Sequence, residues 1–375
     1  MIYLDNAATT KYKPEEVYEA LEYYVREIGV SPGRGSYQLG IQASRMLYKT
    51  RRAVAKYFGI NEPNVIFTKN STEAINMFFN GFLKNGDHVI ISCYEHNAVL
   101  RPLHTLKEKG IIDYSVISRD DLMLPVDEVY RKYVKSNTVL FATTLASNLT
   151  GRLIYNPSLI GYMKENEIST FVDSSQGAGK IHLSMNNDEI DYIAFTGHKD
   201  LLGLPGIGGL VCRKKPTWKP LIQGGTGVLG DSYVNPDVFP EAYEAGTLNM
   251  PAIWSLNASL EWINKNAERI NEHEKELTDY LISELDGIAN IIIYDREFDR
   301  VGVVGINVKG KKSNEIVQVL DENNICTRGG IHCSILAHEA LGTKEIGVVR
   351  ISVGCMNTKE DIDALIQVLK RVGES

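Results

Sequence analysis

The middle of the chain alternates short apolar runs with stretches whose apolar positions recur every three or four residues. The runs at 64–68 (NVIFT), 88–92 (HVIIS), 113–118 (DYSVIS), 138–144 (TVLFATT), 170–173 (TFVD), 192–196 (YIAFT) and 208–212 (GGLVC) have strand length, and several are almost wholly apolar. A strand apolar on both sides belongs in a sheet covered on both faces. Helical patterns lie between most of the runs. The pattern at 44–59 ends on Gly59, which suits a helix C-terminus, and the one at 71–83 opens on Ser71, a residue type that caps helix N-termini. This alternation predicts an α/β domain built on a mostly parallel, seven-stranded sheet.

Beyond residue 250 the pattern changes. A long helical stretch begins at Pro251, a residue suited to a first helical turn, and short strands follow at 290–294, 301–308 and 348–354 before a closing amphipathic helix over 359–372. The reading is a large domain over 15–250 and a smaller α+β domain over 251–375, joined by the N-terminal segment 1–14. No internal repeat or low-complexity linker interrupts it.

Composition narrows the class. With 375 residues and 43% apolar content, the chain has enough material for two packed domains. The formal net charge of −7 argues against nucleic acid as a partner, because phosphate backbones are met by concentrated basic faces. The N-terminal MIYLDNAATT has no secretory pattern, and no apolar run is long enough to span a membrane. Five cysteines (Cys93, Cys212, Cys326, Cys333, Cys355) are too sparse for a disulfide framework, so a reducing, cytoplasmic setting is expected.

In parallel α/β sheets, ligands gather beyond the carboxyl ends of the strands. Five successive strand ends here carry chemistry: Ser71 and Thr72 in KNSTEAIN, His96 in CYEHNAV, Asn148 in LASNLTG, Asp173 and Gln176 in VDSSQ, and His198 with Lys199 in TGHKD. Pyridoxal phosphate asks for that inventory. Its aldehyde needs a lysine amine, its ring nitrogen a buried carboxylate, its phosphate a helix N-terminus with hydroxyls, its ring a stacking partner and its phenolic oxygen a donor. Each residue alone has an ordinary structural reading, as a cap, a turn former or a solvated side chain. The joint pattern carries the inference.

Other motifs stand beside it. GGTGVLG at 224–230 fits G-x-G-x-x-G through Gly225, Gly227 and Gly230, but it follows no first strand of a βαβ unit and reads as a loop. Cys333 lies in a glycine-flanked loop beside His332, five residues after Arg328. A thiol near cations ionises and becomes nucleophilic, though a structural thiol or a weak metal site with His332 and His338 fits the composition too. Arg350, inside the apolar strand VVRISVG, calls for a carboxylate from the protein or from a substrate.

The ordered set YLDNAATT, NSTEAIN, YEHNAVL, SNLTG, VDSSQ, TGHK, EAGTLN, RGGIHCSILAHEALG and VRISVGCMNTKEDID resembles the class V aminotransferase family of fold-type I pyridoxal phosphate enzymes. The likeness is greatest to its cysteine desulfurase and selenocysteine lyase branch and runs nearly end to end. It implies that Lys199 holds pyridoxal 5′-phosphate through a Schiff base, Asp173 pairs with the ring nitrogen and His96 stacks on the ring. Gln176 and Asn148 would meet the phenolic oxygen. Ser71, Thr72, Thr196 and His198 would bind phosphate, joined by Thr247 from the second subunit of a homodimer. Arg350 would take the substrate carboxylate, with Arg328, Asn148 and Ala7 as further substrate contacts.

Lys199, Cys333 and His96 are thus the catalytic candidates, and no metal is implied. The activity implied is conversion of L-cysteine to L-alanine with the sulfur taken onto Cys333 as a persulfide, for a sulfur-acceptor protein and iron–sulfur cluster assembly. A selenocysteine lyase, or an aminotransferase for a small amino acid, is the alternative. One departure stands out. The related SUF-type loop reads Arg-x-Gly-His-His-Cys, whereas here Ile331 occupies the place of the first histidine, and the loop is short.

Overall fold

The structure, a computed structural model, describes residues 1–33 and 37–374, so Ser375 of the expected second domain lies outside them. In chain order the strands are β1 (Ile2–Tyr3), β2 (Val65–Thr68), β3 (Asp87–Ser92), β4 (Ile112–Ile117), β5 (Thr138–Thr144), β6 (Ser169–Asp173), β7 (Tyr192–Thr196), β8 (Gly208–Cys212), β9 (Ile291–Ile293), β10 (Val303–Val308), β11 (Ile325–Cys326), β12 (Arg328–Gly330) and β13 (Val348–Ser352). The helices are α1 (Glu15–Tyr23), α2 (Gln38–Tyr57), α3 (Ser71–Phe82), α4 (Asn97–Glu108), α5 (Val126–Tyr133), α6 (Pro157–Glu165), α7 (Met250–Asp286), α8 (Ser313–Glu322), α9 (Ile335–Leu341) and α10 (Lys359–Glu374).

Seven strands form the main sheet in the order β2-β8-β7-β6-β5-β3-β4. Every pairing is parallel except those of β8, which runs antiparallel to both β2 and β7. Helices cover both faces, which is why the strands are apolar on both sides. Along β6 and β7 the residues divide strictly by parity. Val172, Ile193 and Phe195 enter the core shared with α2 and α7, while Phe171 and Ala194 enter the core beneath α3 and α4.

A second sheet, β12-β13-β10-β9, is antiparallel and packs against α8, α10 and the far half of α7. Helix α7 has 37 residues, about 55 Å at the standard rise, and serves both cores. Leu256, Leu260 and Ile263 face the first, and Leu277, Leu281 and Leu285 the second. The N-terminal segment lies between the two sheets, pairing β1 with β11 and bridging Asp5 to Ser352.

Two sequence expectations change. Helix α3 is capped by Asn70, whose Oδ1 accepts from the Glu73 amide at 2.9 Å, and Ser71 is the first helical residue. Helix α2 begins at Gln38, not at Ser44; the Ser44 hydroxyl donates back to the Gly40 carbonyl at 2.9 Å, as a serine inside a helix does. Between β8 and α7 the chain is irregular apart from a 3-10 turn at Glu241–Tyr243, so no helix follows Gly230. Among the described residues, no helix is long and apolar enough to cross a membrane.

Candidate active site

Lys199 stands three residues past the carboxyl end of β7, on a loop closed at its base. The Gly197 amide donates to the Ile207 carbonyl at 2.9 Å, and the Gly203 amide to the Gly197 carbonyl at 2.7 Å. Gly203 is required by proximity, since a Cβ there would lie 2.9 Å from the Gly197 carbonyl oxygen. The N-terminal segment fastens the outer side: the Thr10 hydroxyl donates to the carbonyls of His198 and Lys199 at 3.0 and 3.2 Å. The His198 Nδ1 and the Thr9 hydroxyl are 3.0 Å apart. Burial, and next the Arg350 charge, bring the Lys199 amine down to about 8. Burial likewise lowers His198 to about 4, with Lys199 and Lys13 adding to the shift.

Asp173 ends β6 at 2% exposure, and its Oδ1 accepts from the Ser175 amide at 3.0 Å and the Ser175 hydroxyl at 2.5 Å. His96 caps α4, with Nδ1 accepting from the Ala98 amide at 3.0 Å, which leaves the ring proton on Nε2. Burial takes His96 down to about 4, with Lys199 and Arg101 pushing the same way and Asp173 opposing. Behind both lies Glu95, fully buried, accepting from the Ser92 hydroxyl at 2.5 Å and the Thr144 amide at 2.9 Å.

Ser71 and Thr72 occupy the first turn of α3, and among the described residues their amides find no acceptor, as at any helix N-terminus. The Thr196 hydroxyl is buried without a partner among the described residues. Thr247 is exposed and lines a separate cavity of ≈ 980 Å³ with Tyr37, Tyr48 and Phe239; no other candidate site residue lines that cavity.

Cys333 sits on the four-residue turn between β12 and α9. It is the exposed member of the five cysteines. His332 and Cys333 both adopt left-handed backbone, at φ +51° and +57°. Such consecutive non-glycine residues persist only where the surroundings hold them. Here the Asn97 amide donates to the Cys333 carbonyl at 2.7 Å and the Asn148 Nδ2 to the His332 carbonyl at 2.7 Å. The Ser334 hydroxyl donates to the Asn148 Oδ1 at 2.5 Å. Asn148, expected at the cofactor oxygen, thus braces the cysteine turn with Oδ1 and one N–H of its amide and keeps its second N–H. His332 donates from Nε2 to the Val348 carbonyl at 2.8 Å, and burial lowers it to about 3. His338 bonds Thr343 instead, and no group of three metal-ligating side chains occurs among the described residues.

Arg350 is 3% exposed and pairs with a carboxylate of the chain itself: its NH2 lies 2.8 Å from Asp5 Oδ1. Arg328, more than half exposed, holds the other oxygen of Asp5 at 3.0 Å. The Arg350 NH1 donates to the Asn148 carbonyl at 3.1 Å, and among the described residues Nε has no partner. Gln176 donates from Nε2 to the Ala7 carbonyl at 2.7 Å and keeps a buried Oε1 with no partner among the described residues. Sequence reasoning missed Asp5, Glu95, Asn97 and Ser334. Asp5 in YLDN and Glu95 beside His96 were visible as acidic residues, but both arginine partners of Asp5 lie more than 300 residues away and Glu95 draws one of its two bonds from Thr144, 49 residues on.

The site fits pyridoxal phosphate on its own features. A lysine amine brought near neutrality, a buried carboxylate, a ring-bearing helix cap, unspent amides on α3, and the stranded polar atoms of Thr196, Gln176 and Arg350 surround one set of strand ends. Fold and site define a fold-type I pyridoxal-phosphate enzyme. The chain belongs to the class-V aminotransferase family, whose family model matches residues 2–365. It is 32% identical to a probable cysteine desulfurase of Methanothermobacter thermautotrophicus, covering 99% of this chain and 94% of that one. A probable cysteine desulfurase of Pyrococcus abyssi is 30% identical over 100% and 95% of the two chains. Among solved structures, the apo cysteine desulfurase of Thermococcus onnurineus superposes with a TM-score of 0.91 at 29% identity, covering 100% of this chain and 94% of that one.

Proposed function

We propose that the protein is a pyridoxal-phosphate-dependent cysteine desulfurase that converts L-cysteine to L-alanine and takes the sulfur onto Cys333 as a persulfide. The observation that carries this reading is the cysteine turn: an exposed thiol tied by its own carbonyl to the residue after His96 and by Asn148 to Arg350. Lys199, Asp173, His96, Gln176, Thr196, His198, Ser71 and Thr72 would hold the cofactor. Bound there, it supplies an electron sink for the pair left at the substrate Cα.

The chain's own groups do the rest. Arg350, with Asn148, Arg328 and Ala7 around it, orients the substrate carboxylate. With its amine near 8, Lys199 is partly neutral at physiological pH and takes the Cα proton. The Cys333 thiolate attacks the substrate sulfur, forming an S–S bond as the C–S bond breaks. The pair from that bond stays with carbon, which is protonated to give alanine.

Two subunits complete the site in this reading, Thr247 of one serving the other. In support, Tyr37 and Tyr48 around its cavity and the nearby Leu229, Tyr233 and Val234 are exposed apolar surface that a second copy would cover. The reading keeps domains at 15–250 and 251–375 joined by 1–14, a cytoplasmic setting, and a sulfur acceptor serving iron–sulfur assembly. Mass spectrometry of the enzyme after incubation with L-cysteine tests it. One added sulfur on Cys333, and loss of alanine formation in Cys333→Ala, are expected. Alanine formed equally well by Cys333→Ala would sink the persulfide route. Turnover of L-selenocysteine alone would assign the lyase, and turnover that demands a keto acid an aminotransferase.

A further inference from the structure

Cys333 opens onto a groove of ≈ 430 Å³ between α3 and α4. Its two walls are ladders of side chains four residues apart, the spacing that places residues on one helix face. Thr72, Asn76 and Asn80 form the α3 wall. Asn97, Arg101, Thr105 and Lys109 form the α4 wall, reaching about 18 Å from the cysteine turn at the helical rise. On a chain with 47 acidic and 40 basic residues, the lining contains no carboxylate.

The two cations of the groove are unspent. Among the described residues, neither Arg101 nor Lys109 makes an ion pair or a side-chain hydrogen bond, whereas the neighbouring Lys107 is paired with Asp113 at 2.8 Å. The α3 amides are turned the other way. Asn76 and Asn80 donate from Nδ2 to the helix carbonyls four residues back, both at 2.9 Å, which leaves their oxygens to accept. At the inner end, the Asn97 Oδ1 is buried with no partner among the described residues. The groove therefore offers acceptors along one wall for backbone amides and cations along the other for carboxylates. Its length matches about five residues of extended chain.

We propose that this groove receives an extended, acidic, cysteine-bearing segment of a sulfur-acceptor protein, which takes the sulfur from Cys333. This rests on the desulfurase reading. The acceptor thiolate attacks the outer sulfur of the Cys333 persulfide and forms a new S–S bond. The bond from that sulfur to Sγ breaks, and its electron pair leaves on Sγ as the Cys333 thiolate. The exchange is redox-neutral and needs only the acceptor thiol. The short cysteine turn gives the geometry its purpose: Asn97 and Asn148 hold the backbone carbonyls of Cys333 and His332, which keeps the thiol at the groove, so the acceptor must come in.

The test is thiol exchange on the holoenzyme with Cys333 carried as a thionitrobenzoate mixed disulfide, which releases a coloured anion when attacked. Six-residue peptides with one cysteine flanked by acidic, neutral or lysine residues are compared with glutathione and 2-mercaptoethanol. The acidic peptide should react at least ~10-fold faster than the lysine peptide at low salt, the advantage shrinking as salt rises. Arg101→Glu and Lys109→Glu should erase that preference and leave 2-mercaptoethanol rates and alanine formation unchanged. Equal rates for all peptides, or a preference untouched by charge reversal, would overturn the proposal, and glutathione matching the acidic peptide would assign the groove to a small thiol instead. Because the disulfide is loaded chemically, the assay still reports on the groove if L-cysteine puts no sulfur on Cys333, so the two readings fail separately.

Discussion

Glu95 is the residue whose environment most contradicts its chemistry. It is fully buried one position before His96, and only one of its oxygens is hydrogen-bonded. Burial drives its carboxyl up to about 8, with Asp173 adding to the shift against the bonds from Ser92 and Thr144. From its ordinary value of 4.5 up to 8, the native state holds a proton that the unfolded chain has released. The stability from this site is thus complete below 4.5 and is lost as pH rises through 8. Glu95→Gln, permanently neutral, should match the wild type at pH 5 and exceed it by ~2–4 kcal/mol at pH 9 in urea unfolding. Stability curves that stay parallel across that range would show the carboxyl to be ionised in the native state. Residue types at strand ends, such as Lys199 and Asp173, were legible in the sequence because a parallel sheet sends its strand ends to one edge. The environment of Glu95 was not, because burial is a property of the folded neighbours.

At the scale of elements, β8 does more than close the sheet. Its Gly208 and Gly209 were readable only as part of an apolar run, yet neither has room for a side chain. A Cβ at Gly208 would sit 2.7 Å from the backbone carbon of Asn70 and from the Phe195 carbonyl oxygen, and one at Gly209 2.6 Å from the Ile66 carbonyl oxygen. The strand is pressed against the cap of α3, which fixes where Ser71 and Thr72 present their amides. Gly208→Ala should cost ~1–3 kcal/mol of stability by overpacking and, by pushing Asn70 aside, loosen the phosphate end of the site. Equilibrium dialysis of the cofactor against thermal unfolding separates the two effects: retention unchanged despite lowered stability would detach β8 from the cofactor. The cap expected at Ser71 falls one residue earlier, on Asn70, a residue type equally suited to capping.

For the whole molecule, the N-terminal segment is the joint between the two sheets, and Asp5 is its centre. One carboxylate pairs with both Arg328 of β12 and Arg350 of β13, leaving one positive charge in excess, while its neighbours Thr9 and Thr10 hold the Lys199 loop and Ala7 holds Gln176. Sequence alone offered Arg350 a carboxylate from either protein or substrate. The fold supplies Asp5 and, among the described residues, still leaves Nε of Arg350 buried and unpaired, one donor for the substrate carboxylate proposed above. Asp5→Asn removes the charge and keeps the shape. Stranding a buried arginine costs ~3–5 kcal/mol, and unfolding should lose cooperativity as the joint weakens. A ligand that brings its own carboxylate replaces the missing charge. L-alanine, the expected product, should therefore raise the melting temperature of Asp5→Asn more than that of the wild type, since ligand binding to the native state stabilises it by mass action. Methylation of that ligand's carboxyl should abolish the difference. Equal shifts in the two proteins would mean that Arg350 serves Asp5 alone, and the substrate carboxylate would have to be sought elsewhere in the site.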